Sequence, residues 1–175
     1  NENRQANIGN IYWIGLGATV LIGTTLRLWG LIFGQPVWHP DEFNFVYWPL
    51  LFFEGDLNPE VFYYPHLLYY LLTLVYGAVF IGHWLVSGWD IQQTAALYYF
   101  WRAEEILLIG RSVCALFGAG TIVWIALIAR RVYGPMAGVL AGAFAAVSVL
   151  GVRQATLAAA DTPMAFFFCA AVWAT

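Results

Sequence analysis

The chain has 175 residues, of which 62% are hydrophobic and 10% charged, with a formal net charge of -3 and a mean hydropathy of +0.71. Ordinary soluble domains carry about 45–50% apolar and about 25% charged residues, so a soluble enzyme, a nucleic-acid binder and a disordered chain are excluded. A membrane-spanning helix takes roughly 20 apolar residues, and the length allows four or five membrane segments and one substantial loop.

In chain order, the first spanning helix is expected over about 8–33. Its one internal charge, Arg27, lies near an end from which it could snorkel to the interface. An external loop follows over 34–65, rich in Pro, acids and aromatics. Within it, 41–54 reads as a short helix on the membrane surface, with Asp41 as N-cap and Phe45, Trp48, Leu51 and Phe52 as its apolar face. The stretch 66–86 is expected to be membrane-embedded or re-entrant. An amphipathic piece around 95–101 follows, then a clear spanning helix over 106–129. Gly134-Pro135 turns the chain into a returning helix over 136–152, and 153–160 is a connector. A last helix over 161–175 opens on Asp161-Thr162-Pro163, with Asp as cap and Pro in the first turn.

All seven basic residues are arginine, and eight of the ten acids lie between Asp41 and Glu105. The pair Arg130-Arg131 marks a cytoplasmic end, and Arg4 puts the N-terminus on the same side. Asp41, Glu42 and Asp161 are then expected on one external face. Cys114 and Cys169 sit in apolar runs and read as structural thiols. His39, His66 and His83 lack metal-ligand spacing.

The residues able to do chemistry are few. Asp41-Glu42 reads either as a pair of solvated loop charges or as a general base whose pKa is raised in a partly dry cleft. Asp161 reads as a helix cap or as a functional acid beside an apolar run. Arg111 and Arg153 lie inside or beside apolar segments, suited either to ion pairs with neighbouring acids or to gripping a phosphate. Tyr63, Tyr64, Tyr69 and Tyr70 suit a sugar, a lipid groove or the ordinary aromatic belt of a membrane interface.

Four blocks resemble, in order, the N-terminal part of the GT-C superfamily of lipid-phosphate-sugar-dependent glycosyltransferases. The nearest likeness is to the dolichyl-phosphate-mannose-protein mannosyltransferase-like group, with its bacterial aminoarabinose-transferring members. The blocks are HPDE (39–42), GDLNPEVFYYPHLLYYLL (55–72), GRSVCALFGAGTIVWIALIARRVYG (110–134) and VRQATLAAADTPMAFFF (152–168). The resemblance implies an all-α polytopic membrane protein, a GT-C-type helix module with external juxtamembrane helices, in a bacterial plasma membrane. It also implies inverting transfer of a sugar from a polyprenyl-phosphate donor to an acceptor hydroxyl.

The family's catalytic acid falls on Asp41, with Glu42 beside it, and the second acid on Asp161. Arg111 and Arg153 fall on the family's arginines, and His39, Tyr64 and His66 join them as expected substrate-binding residues. The chain departs from relatives at Pro65-His66, where they have Pro-Pro or Pro-Ser, and at Ala155-Thr156, where some carry Ser-His. No cofactor is assigned; the family leaves room for a divalent metal that no spacing here indicates. The expected partners are the sugar donor, the bilayer and other membrane subunits. Relatives are longer, so the chain is expected to be the front part of a larger protein and inactive alone. A reading from a different class is a non-catalytic membrane subunit. A transporter with Asp161 as coupling site is disfavoured, because the acids cluster at an interface and not at the bilayer midplane.

Overall fold

The computed structural model describes the backbone of residues 2–33, 39–62 and 64–175, and the side chains of 9–32, 39–62 and 64–175. Part of the expected external loop (34–38) and Tyr63 lie outside the described residues, as do the side chains of 2–8, Arg4 among them. The described residues form α-helices with one short 3-10 turn and no strand. The helices are α1 (Glu2–Phe33), α2 (Glu42–Leu51), the 3-10 turn Phe52–Glu54, α3 (Leu67–Ser87), α4 (Ile91–Trp101), α5 (Ala103–Tyr133), α6 (Pro135–Val147), α7 (Val149–Ala155) and α8 (Asp161–Ala174). Three stretches, Gly9–Ile32, Leu67–Ser87 and Ala103–Tyr133, are long and apolar enough to cross a membrane, and α6 with α7 makes a fourth if that bent pair is one span. The protein is an all-α polytopic membrane protein. The stretch expected to be embedded or re-entrant, 66–86, is one unbroken 21-residue helix.

The chain divides into two compact units. One takes α1, the part of α5 from Cys114 on, and α6, α7 and α8. Small residues bring its helices close, as usual where lipid removes the hydrophobic drive to pack. A Cβ on Gly23 would overlap Ile122 Cδ1 and stand 3.0 Å from the Ala146 methyl; one on Gly138 would stand 2.8 Å from the Ala126 carbonyl. Arg130 lies over the rings of Tyr12 (4.1 Å) and Trp13 (5.0 Å), and Arg131 donates to the Trp173 carbonyl (2.8 Å). Cys114 is buried and Cys169 half-buried.

The expected helix over 136–152 is instead broken. Ser148 takes a non-helical backbone (φ -58°, ψ 114°), its hydroxyl accepts from the Gly151 amide, and α6 and α7 meet at a 61° bend. A break leaves α6 carbonyls without intrahelical donors. Arg27 supplies them: Nη1 donates to Ala146 O (3.3 Å) and Nη2 to Ala145 O (3.4 Å). The expectation that Arg27 snorkels outward is therefore corrected; it is buried, 3% exposed, because the broken helix end needs its donors.

The other unit holds α2, the 3-10 turn, α3, α4, residues 103–113 of α5 and the segment Leu157–Ala160. Its core is aromatic: Phe45, Tyr69, Tyr76 and Phe80 are fully buried, and the Tyr76 hydroxyl donates to the Phe45 carbonyl (3.3 Å). The amphipathic piece expected at 95–101 begins earlier, at Ile91. Asp90 and Gln93 form a reciprocal capping box there, a D-x-x-Q signal readable in the sequence.

Candidate active site

The unit holding α2 separates the two carboxylates of Asp41-Glu42. The turn 39–42 closes with the Glu42 amide donating to the His39 carbonyl (3.0 Å). Glu42, in the first turn of α2, points inward and is fully buried. Its Oε1 accepts from Arg111 Nε (2.7 Å) and the Ala158 amide (2.9 Å); its Oε2 accepts from Arg111 Nη2 (2.7 Å) and the His39 amide (2.9 Å). The carboxylate thus receives four hydrogen bonds and forms a bidentate pair with a guanidinium that is itself buried. Burial pushes the Glu42 carboxyl up, but the Arg111 hydrogen bonds, the His39 and Ala158 amides and the Arg111 charge outweigh it and hold it below its ordinary value. A raised pKa, the property sought for a base at this pair, is therefore not found at Glu42. Close approach of the 157–160 segment to α5 depends on Gly110, where a Cβ would stand 2.7 Å from the Tyr76 hydroxyl and 3.3 Å from the Ala158 methyl.

Asp41 has a different environment. It occupies the N-cap position of α2 with helical backbone angles, and its side chain makes no capping bond. The carboxylate is released to accept from the Tyr64 hydroxyl at Oδ1 (2.7 Å), while Oδ2 lies 3.6 Å from His39 Nδ1. The side chain is 46% exposed. Oδ1 is thus fixed by the tyrosine, while Oδ2 lies beside the His39 ring on a half-exposed side chain. Tyr64 is held in turn by its ring against the buried Phe45 (5.4 Å). His66 precedes α3 and hydrogen-bonds through Nε2 to the Val61 carbonyl (2.7 Å); a carbonyl only accepts, so that nitrogen carries the proton. Its ring stacks on Tyr69 (5.9 Å), which makes it a brace for the aromatic loop.

Asp161 and Arg153 belong to the other unit. Asp161 opens α8, is exposed, and accepts a long hydrogen bond from Gln154 Nε2 (3.4 Å). Arg153, in the last turn of α7, is exposed, and its guanidinium meets no ion-pair partner among the described residues. It borders a groove of about 370 Å³ whose other walls include Leu26, Val147, Val149 and Val152. The two arginines expected on a phosphate therefore differ: Arg111 is committed to Glu42, and Arg153 borders an apolar groove.

Two participants were not foreseen. The Ala158 amide carries no sequence signal, because any residue could supply it. Arg27 did carry one, as an ionisable residue inside a spanning segment.

A family model described as dolichyl-phosphate-mannose-protein mannosyltransferase matches residues 85–175. The match takes in Arg111, Arg153 and Asp161 and begins after the Asp41-Glu42 turn. No curated protein and no solved structure matches the chain.

Proposed function

The chain belongs to the dolichyl-phosphate-mannose-protein mannosyltransferase family, as a mannosyltransferase-like GT-C membrane protein, and from that premise we propose a mechanism in which Asp41 is the general base. The substrate pair is a polyprenyl-phosphate sugar and an acceptor hydroxyl, meeting at the external face of the membrane. Asp41 takes the hydroxyl proton, the acceptor oxygen bonds to the anomeric carbon, and the bond from that carbon to the phosphate oxygen breaks. The electron pair leaves with the lipid phosphate, and attack from the opposite side inverts the centre. In its own unit, Arg153 beside an apolar groove is suited to hold a lipid phosphate whose isoprenoid tail lies along that groove. Arg111 acts through Glu42 and holds the base in place. Asp161 is the second acid of the reaction. By the positive-inside rule the arginine pair Arg130-Arg131 is assigned to the cytoplasmic side.

The observation that supports this most directly is the split of the carboxylate pair. Glu42 accepts four hydrogen bonds and is fully buried, while Asp41 is half-exposed, with Tyr64 fixing one of its oxygens. A positioned base contributes about 10²–10⁴ in rate, so Asp41→Asn is expected to lower transfer from a polyprenyl-phosphate sugar by that factor. The variant should leave thermal stability of the protein unchanged within about 1 kcal/mol, since the acceptor role toward Tyr64 survives. Undiminished transfer by Asp41→Asn would overturn the assignment.

A further inference from the structure

We propose that the cavity between α2 and α4 binds a small organic cation, an ammonium group carried on an apolar body. Tyr47 and Leu51, one turn apart, face it from the last turns of α2. Ala95, Ala96 and Tyr99 face it from α4, where positions three and four apart share one side of the helix. Glu54, at the end of the 3-10 turn, completes the border of a space of about 530 Å³. The hollow exists because two alanines occupy the middle of the α4 face, where larger side chains would fill it. At one end the rings of Tyr47 and Tyr99 meet at 5.9 Å, tilted by 57°. Asp41 stands at the opposite end of α2, so this space is separate from the carboxylate pair.

Charge selects the occupant. The unit that contains the cavity carries eight acids and two arginines. Both arginines are committed, Arg102 to Glu105 (2.6 Å) and Arg111 to Glu42 (2.7 Å). Glu54 is exposed and meets no ion-pair partner among the described residues. No Arg or His stands among the described residues that line the cavity, and the chain has no Lys. An anion would therefore enter a negative field with no cation to receive it. A neutral apolar molecule would fill the hollow and strip water from the Glu54 carboxylate without replacing it. An ammonium on an apolar body answers each part. Its body lies over the alanines and Leu51, and its charge stands beside Glu54. The ring faces of Tyr47 and Tyr99, negative by their quadrupole, attract the same charge.

The proposal does not rest on Asp41 as base, and its test reads binding. Purified full chain in an uncharged detergent would be titrated with benzyltrimethylammonium, which keeps its charge at every pH. Two neutral probes run beside it, N-benzylacetamide and a methyl hexopyranoside, and the readout is the thermal midpoint. A saturable rise is expected with the ammonium and none with either neutral probe. Ala96→Leu, which fills the hollow from an exposed helix position, is expected to abolish the response and leave the unliganded midpoint unchanged. Glu54→Gln is expected to weaken it about threefold, the loss of one exposed ion pair, and raised salt to weaken it in the wild type more than in that variant. Should Ala96→Leu fail to fold, Glu54→Gln and the salt series decide. No saturable rise with the ammonium, an equal or larger rise with a neutral probe, or an equal rise in the wild type and Glu54→Gln would overturn the proposal.

Discussion

Arg111 and Arg27 are both buried arginines, each 3% exposed, and each in its own unit. Arg111 meets a carboxylate in bidentate geometry, and that carboxylate accepts two backbone amides besides. Among the described residues Arg27 meets backbone carbonyls alone, and it lines a cavity. The difference separates two uses of a buried cation. A closed pair spends its charge on fixing geometry, here the turn that presents Asp41. A cation held by carbonyls keeps its charge available to something else.

The strongest test of that contrast is Arg111→Met. It strands the buried Glu42 carboxylate, and breaking such a pair costs about 3–5 kcal/mol, to be read as a fall in unfolding free energy or in thermal midpoint. The double variant Glu42→Leu/Arg111→Met removes both charges and should recover most of the loss. A double variant as unstable as the single one would show that the pair is more than a mutual neutraliser. Arg27→Met should cost less, about 1–3 kcal/mol for orphaned carbonyls, because it also removes a cation that no acid among the described residues balances. A loss equal to that of Arg111→Met would erase the contrast.

The pH response sharpens the same point. The Glu42 carboxyl is lower in the folded protein than in the unfolded chain. Its contribution is therefore full above the ordinary carboxylate range and is lost as pH falls through the lower folded value. Acid unfolding should show this dependence in wild type, and Glu42→Gln should flatten it. The smallest effect concerns Asp41 itself. Tyr64→Phe removes one hydrogen bond to a charged acceptor, about 1.5–3 kcal/mol at most and less at a half-exposed site, read as a modest loss of transfer rate.

Much of the fold was legible from periodicity and composition. The long apolar runs that became α1, α3 and α5 are dictated by length and hydropathy, which act locally along the chain. The start of α8 followed from Asp161 and Pro163 for the same reason. The break at Ser148 was not legible. The segment 136–152 is apolar throughout, and what breaks it is a serine hydroxyl inside one helix and an arginine on another. The candidate site was legible by residue type and not by role. Asp41 and Glu42 look interchangeable in a row of letters, and Asp41 as N-cap was a sound local expectation that Tyr64, 23 residues away, outcompetes.

By itself, then, the sequence determined a helical membrane protein, the approximate helix ends, the scarcity of charge, and the short roster of acids and arginines from which any site must be drawn. Those properties depend on transfer free energy and near-neighbour hydrogen bonding, which are summed along the chain. Only the tertiary structure decided which acid is closed and which is open, and which arginine is matched. Hydrogen bonds such as Glu42 to Arg111, 69 residues apart, and Glu42 to the Ala158 amide, 116 apart, arise from positions that packing brings together. A buried charge takes its role from the partners it finds there.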